Sequence, residues 1–96
     1  MLEAARKIDV TLTGDASHLE FDVVVRDAHS QSRHHVTIAR MMAKSLGGEA
    51  TPERVIEAAF RFLLAREPKE AILKSFDISA IARYFPEFER ELPRYL

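Results

Sequence analysis

The stretch from His34 to Leu64, "HHVTIARMMAKSLGGEATPERVIEAAFRFLL", changes its period partway through. At its start His34, Val36 and Ile38 alternate with His35 and Thr37. Spacing of two with β-branched residues is the mark of a strand that is buried on one side. "ARMMAKSL" then reads as a short helix, stopped by Gly47 and Gly48, since glycine tolerates the left-handed cap conformation. From Thr51 the period becomes helical. Thr51 can cap the free N–H groups, and Pro52 suits the first helical position, where its missing N–H is not needed. Val55, Ile56, Ala59, Phe60, Leu63 and Leu64 form one apolar stripe, and Glu57 and Arg61 make a favourably ordered i,i+4 pair on the wet side.

Toward the N-terminus the strand pattern continues. "KIDVTLT" places Ile8, Val10 and Leu12 on one face and Lys7, Asp9 and Thr11 on the other. "GDASH" is a polar turn. "LEFDVVVRD" repeats the alternation, with Leu19, Phe21, Val23 and Val25 facing the core. "AHSQS" is the next turn, without the Asn-Gly or Asp-Gly of a tight hairpin. Short links and one-sided faces predict an antiparallel meander. Its first strand, within residues 1–13, is the least defined, because chain ends fray.

Toward the C-terminus prolines divide the chain. Pro68 ends the main helix and can start another, "KEAILKSF", with Ile72, Leu73 and Phe76. Asp77 is placed to cap "ISAIARYF", whose Ile78, Ile81 and Phe85 align. Pro86 opens "EFEREL", where Phe88 and Leu92 stack, and Pro93 closes it. The aromatics of "RYFPEFE" (83–89) therefore continue apolar stripes, so they are assigned to the protein's own core and not to a peptide ligand. Tyr84 falls beside the stripe.

The predicted fold is α+β: an antiparallel meander of two or three strands, then four or five short helices packed on one face. The predicted domain is a single one over residues 1–96, mainly strands to residue 39 and mainly helices from residue 40. The predicted core holds Phe21, Val23, Val25, Val36, Ile38, Val55, Ile56, Phe60, Leu63, Ile72, Phe76, Ile81 and Phe85.

The segment Phe62–Glu87, "FLLxREPxxxILxxFDIxxIxRYFPE", resembles a set of short bacterial proteins of unassigned function. The resemblance implies a bacterial source and a shared fold. It transfers no site residue.

Composition bounds the function. The 96 residues are 47% hydrophobic and 30% charged, with a net charge of −1. Both signs are spread evenly, with six Lys or Arg and six Asp or Glu in residues 1–48. Neither half advertises nucleic acid or an anionic membrane. There is no cysteine, hence no disulfide, thiolate nucleophile or Cys-based zinc site. "MLEAARKIDV" lacks the apolar run of a signal peptide, and no stretch approaches transmembrane length; the cytoplasm is the expected address.

No chemical motif stands out. The four histidines lie in the first half, but His34 and His35 project to opposite faces of a strand and cannot share one metal ion. They read as solvated hairpin histidines. Ser17–His18 lacks an orienting third group. Gly47–Gly48 lacks the Lys-Ser/Thr of a phosphate loop. Glu87, Glu89 and Glu91 read as a solvated helix face. No cofactor or metal is expected. The leading expectation is a small non-enzymatic interaction or regulatory module that binds a protein partner or a second copy of itself. The candidate surface is Val24 on the polar sheet face, Arg33, His35, Thr37 and Arg40 at the strand–helix passage, and Tyr84 in the tail. The alternative is DNA binding: strand, short helix, turn, capped helix resembles a ribbon-helix-helix repressor, for which Arg33, His35, Thr37 and Arg40 would be the reading face. The first helix is shorter than in that family, and the near-neutral charge offers little attraction for phosphate.

Overall fold

The structure, a computed structural model, describes residues 6–96. The opening "MLEAA", part of the reading of the N-terminus above, lies outside the described residues. Three nine-residue strands come first: β1 (Lys7–Asp15), β2 (His18–Arg26) and β3 (Gln31–Ala39). They pair in sequence as an antiparallel meander. Leu12, Phe21 and Val36 lie opposite one another across the sheet, as do Val10, Val23 and His34. Thr13 interrupts the β1–β2 register as a bulge between Leu12 and Gly14. The β2–β3 turn needs no glycine, because Asp27 Oδ1 accepts the N–H groups of His29 (2.8 Å) and Ser30 (2.9 Å). An aspartate that bonds its own backbone in this way replaces the usual turn dipeptide.

The helical half follows. Helix α1 (Arg40–Gly47) ends on Gly48, which has φ 61° and donates its N–H to the Lys44 carbonyl. A side chain at Gly48 would be strained, because a φ of 61° with a ψ of −115° is a conformation glycine alone adopts freely. Gly47 has a different reason to be glycine: a Cβ there would run into Val55 Cγ2 of the next helix. Helix α2 (Pro52–Leu64) begins as its sequence implies, with Thr51 Oγ1 accepting the Arg54 N–H at 3.2 Å. Arg61 bonds Glu57 at 2.6 Å.

Helix α2 is buried on more than the expected stripe. Phe60 faces the sheet, its ring 5.3 Å from that of His34 and 6.0 Å from that of Phe76. Phe62 faces the chain's end and meets Phe85 (5.9 Å), Phe88 (5.1 Å) and Tyr95 (6.0 Å) edge-on. Edge-to-face contact is the favoured geometry for such rings. The helix is thus held between the sheet and the C-terminal segment.

Three expectations fail past Pro68. "KEAILKSF" is not a helix. It is a 3-10 turn (Lys69–Ala71), an extended stretch, and a fourth strand, β4 (Ser75–Asp77). β4 pairs with β3 in parallel, Val36 opposite Phe76, and the His35 N–H donates to the Lys74 carbonyl at 2.7 Å. Ile72 and Phe76 are four apart, which places them on one face in a helix and also in an extended chain. Spacing alone could not separate the two, and the free edge of β3 decided it. "ISAIARYF" is a 3-10 turn (Ile78–Ala80) running into a single helical turn, α3 (Ile81–Tyr84). Asp77 caps it as expected, accepting the Ser79 N–H at 3.0 Å. Phe85 leaves helical geometry ahead of Pro86. Helix α4 (Phe88–Glu91) passes directly into a 3-10 turn (Leu92–Tyr95) that contains Pro93 near its start, so Pro93 does not end the helical path.

The α+β class stands, with the meander extended by one parallel strand. The helices pack on one sheet face around one apolar cluster. Phe76 and Phe85, expected in the core, are half-buried at its margin, whereas Leu19, Phe62, Ile78, Phe88 and Leu92 are buried in it. No helix among the described residues is long and apolar enough to cross a membrane.

Candidate interaction surfaces

Alternation brings four of the six sequence-selected residues onto the uncovered face of the sheet. Asp9, Val24 and Arg33 lie in one cross-strand row; Thr11, Asp22, His35 and Ser75 form the next; Glu20, Thr37 and Asp77 the third. Several of these polar groups are engaged with one another. His35 Nδ1 is 3.0 Å from Asp22 and its Nε2 3.3 Å from Glu20. The bond to Asp22 raises the His35 pKa above the ordinary imidazole value. Thr37 donates to Asp77 Oδ1 at 2.5 Å. Arg26 pairs with Asp9 at 3.4 Å. Val24 is half-buried among charges and forms no apolar patch. Arg40, at the start of α1, is tied to the β1–β2 turn through Asp15 (2.6 Å) and the Ala16 carbonyl (3.1 Å). The face is therefore a mixed-charge layer, solvated and internally paired.

Tyr84, the sixth residue, belongs elsewhere. It is 70% exposed on the helical side and lines an apolar groove of about 240 Å³ with Leu73, Ile72, Phe76, Ile81 and Phe85. Leu73 is 53% exposed. Glu67 is the one charged residue on the groove wall. Leu73 was assigned to the apolar face of a helix and Glu67 to no site, because the groove exists only where β4 and α3 fold back against the end of α2.

A second cluster was missed for a different reason. His34, read as solvated, is buried, with 4% exposure. Its Nδ1 is 2.7 Å from the Leu73 carbonyl, and its Nε2 is 2.7 Å from Ser32 Oγ. A carbonyl only accepts, so Nδ1 carries the proton and the serine hydroxyl donates to Nε2. The polarity is that of a serine–histidine pair. The imidazolium that a base must become is opposed here by burial and by the nearby Lys74 charge, and both hold the His34 pKa below its usual value. Its orienting partner is a carbonyl and not a carboxylate, unlike the catalytic arrangement. The two bonds satisfy both nitrogens of a buried ring and fasten β3 to the segment ahead of β4.

The same end carries a buried lysine. Lys69 Nζ bonds Asp27 at 2.6 Å and Glu70 at 2.8 Å. These bonds raise the Lys69 pKa and hold Asp27 well below the usual carboxylate range. The ion pair joins the β2–β3 turn to the 3-10 turn after α2. Glu87 and Glu91, read as solvated, are also engaged: Arg66 reaches them at 3.2 and 3.0 Å. Among the described residues, no three His, Asp or Glu side chains are grouped to hold a metal ion. Comparison of the chain with protein-family models, curated proteins and solved structures finds no match.

Proposed function

We propose that this protein is a small non-enzymatic interaction module that holds a segment of another polypeptide in the groove beside β4 and α3. The observation that carries this reading is the pair Leu73 and Tyr84, two large apolar side chains left open at the rim of one groove. Exposed apolar groups gathered at a concave site mark contact surfaces. The lining favours one kind of occupant. Its walls are apolar and aromatic, and its one charged residue, Glu67, forms no ion pair among the described residues. A lysine or arginine side chain of the partner suits it, with the aliphatic stem along the wall and the cationic head at the carboxylate.

The test is selection from a random peptide display library on the full chain. Enrichment of Lys or Arg flanked by apolar residues is expected. The best peptide, labelled for fluorescence anisotropy, should bind Tyr84→Ser and Glu67→Gln at least about tenfold more weakly, as loss of a contact of about 1.4 kcal/mol requires. Selections without a consensus, or binding indifferent to both changes, would overturn the reading.

The DNA-binding alternative finds no support in the geometry. A ribbon-helix-helix dimer needs a strand free to pair with its counterpart, and β3 is bonded by β2 on one side and β4 on the other. His35 and Arg40 are engaged by carboxylates of their own chain. A low-salt shift of duplex DNA, lost on Arg33→Ala plus Arg40→Ala, would restore that alternative.

A further inference from the structure

We infer that β1 is a self-complementary edge through which two copies of this chain join their sheets, antiparallel, with Val10 opposite Val10 of the second copy. The sheet order leaves β1 at one border, and no strand among the described residues pairs with its outer side. β4 protects the opposite border in part, bonding β3 from His35 to Thr37. A free row of backbone donors and acceptors is a template for another strand.

The order of side chains along β1 selects the partner. In an antiparallel pair, opposed residues share a face. Centred on Val10, the pairing sets Ile8 against Leu12 of the second copy, Val10 against Val10, and Asp9 against Thr11. Apolar meets apolar on the core face, and no like charges meet on the outer face. Leu12, 42% exposed at the border of the core, gains a neighbour. Ile8 and Val10, packed on the core but only partly buried, gain one too. Other centres fit less well. Pairing about Asp9 sets two carboxylates directly opposite, which is destabilising. Pairing about Ile8 sets Leu12 opposite position 4 of the second copy, which lies ahead of β1. Pairing about Thr11 runs into the bulge at Thr13, where the strand leaves its regular path. The two-fold axis through Val10 is perpendicular to the sheet, so both helical layers lie on the same side of one continuous eight-stranded sheet. The inference rests on β1 alone and is independent of the groove.

The register makes opposite forecasts for two changes at one exposed position. Thr11→Lys places two lysines opposite two Asp9 carboxylates across the dyad. Thr11→Asp places four carboxylates there. Sedimentation equilibrium of the full chain over a wide concentration range reads the result. The wild type should rise toward the mass of two copies as concentration increases. Thr11→Lys should lower the midpoint concentration roughly three- to tenfold, and Thr11→Asp should raise it by a similar factor. Thr11 also faces Asp22 within its own sheet, so circular dichroism must show both variants folded; Thr11→Lys, which gains an opposite charge there, carries the test if Thr11→Asp does not fold. Tyr84→Ser should leave the association unchanged. A single-copy mass at every concentration for both wild type and Thr11→Lys overturns the inference, as does a shift in the same direction for both substitutions.

Discussion

The Arg66 guanidinium lies over the Phe62 ring, 3.6 Å from its centroid, one turn further along the chain. The same guanidinium bonds Glu87 through Nε and Glu91 through Nη2. One side chain thus covers the aromatic that anchors the C-terminal segment and holds that segment by two carboxylates. Hydrogen bonding, with Arg66 contributing, depresses the Glu87 pKa. Phe62, Phe88 and Leu92 are buried beneath this clasp.

Replacing Arg66 tests the clasp. Arg66→Met keeps an apolar stem over Phe62 but loses the planar fork. It should cost about 1–3 kcal/mol in urea denaturation, the range of a partly desolvated cation–π contact plus charged hydrogen bonds. Arg66→Lys should recover only part of the loss, because an ammonium cannot stack flat and bond two carboxylates together. Equal stability of Lys and Arg at this position would show that only charge matters here.

Phe60 and Phe62 lie two residues apart on α2 and hold different layers. Each truncation to alanine should cost about 3–5 kcal/mol, a large part of the stability of a domain this size. Their local consequences should differ. Phe62→Ala removes the anchor of the tail, so limited proteolysis beyond Tyr84 should accelerate more than Phe60→Ala makes it do. A melting curve for Phe60→Ala matching the parent would contradict the packing of α2 on the sheet.

The two neighbouring glycines should respond for separate reasons. Gly47→Ala meets Val55 Cγ2 and should lose about 1–3 kcal/mol, as overpacked sites do. Gly48→Ala has open space around it but a φ of 61°, and should lose roughly 1–3 kcal/mol from backbone strain alone. Gly48→Asn should fare no better than Gly48→Ala, since ψ is −115° and lies outside the left-handed α region that asparagine tolerates, and Gly47→Asn should be no better than alanine. Thermal melts of the four variants check the pattern.

Acid should pull His34 and His35 in opposite directions. The folded His34 pKa is lowered, mainly by burial, so the unfolded chain takes up its proton first. Its contribution to stability falls as the pH drops through and below about 6.5, the unperturbed value. The folded His35 pKa is raised, chiefly by Asp22, so its contribution is full below about 6.5 and fades as the pH rises through the higher folded value. Over the range from about pH 8 to 5, His35→Gln should therefore steepen the loss of stability above about 6.5, and His34→Gln should flatten it below about 6.5. Urea midpoints across that range measure the slopes; identical slopes in the two variants would contradict the assignment.

Much of this architecture was legible in residue order. The period-two runs of β1 to β3, the capped start of α2 at Thr51 and Pro52, the stop at Gly48 and the cap at Asp77 are local features. Each depends on backbone geometry and near neighbours, which a linear pattern records. The core facing of Phe21, Val23, Val36 and Phe60 followed from the same periods. Alternation placed Val24, His35 and Thr37 on the sheet face opposite the core, but pattern could not tell that His35 and Thr37 are bonded to carboxylates of the same layer.

Other features were settled only in three dimensions. Ile72 and Phe76 fit a helix or a strand equally by spacing, and the unpaired edge of β3 chose the strand. His34 sits in a histidine pair that reads as polar, yet it is buried because Ser32 and the Leu73 carbonyl satisfy both of its nitrogens. Phe62 lies off the main stripe of α2 and is buried because the chain's end returns over it. The groove of Leu73, Tyr84 and Glu67 arises from the same return. Sequence alone determined which stretches alternate and which wind, since those preferences are set residue by residue. Tertiary structure decided what covers each face and edge, because burial and hydrogen-bond satisfaction depend on partners distant in the chain.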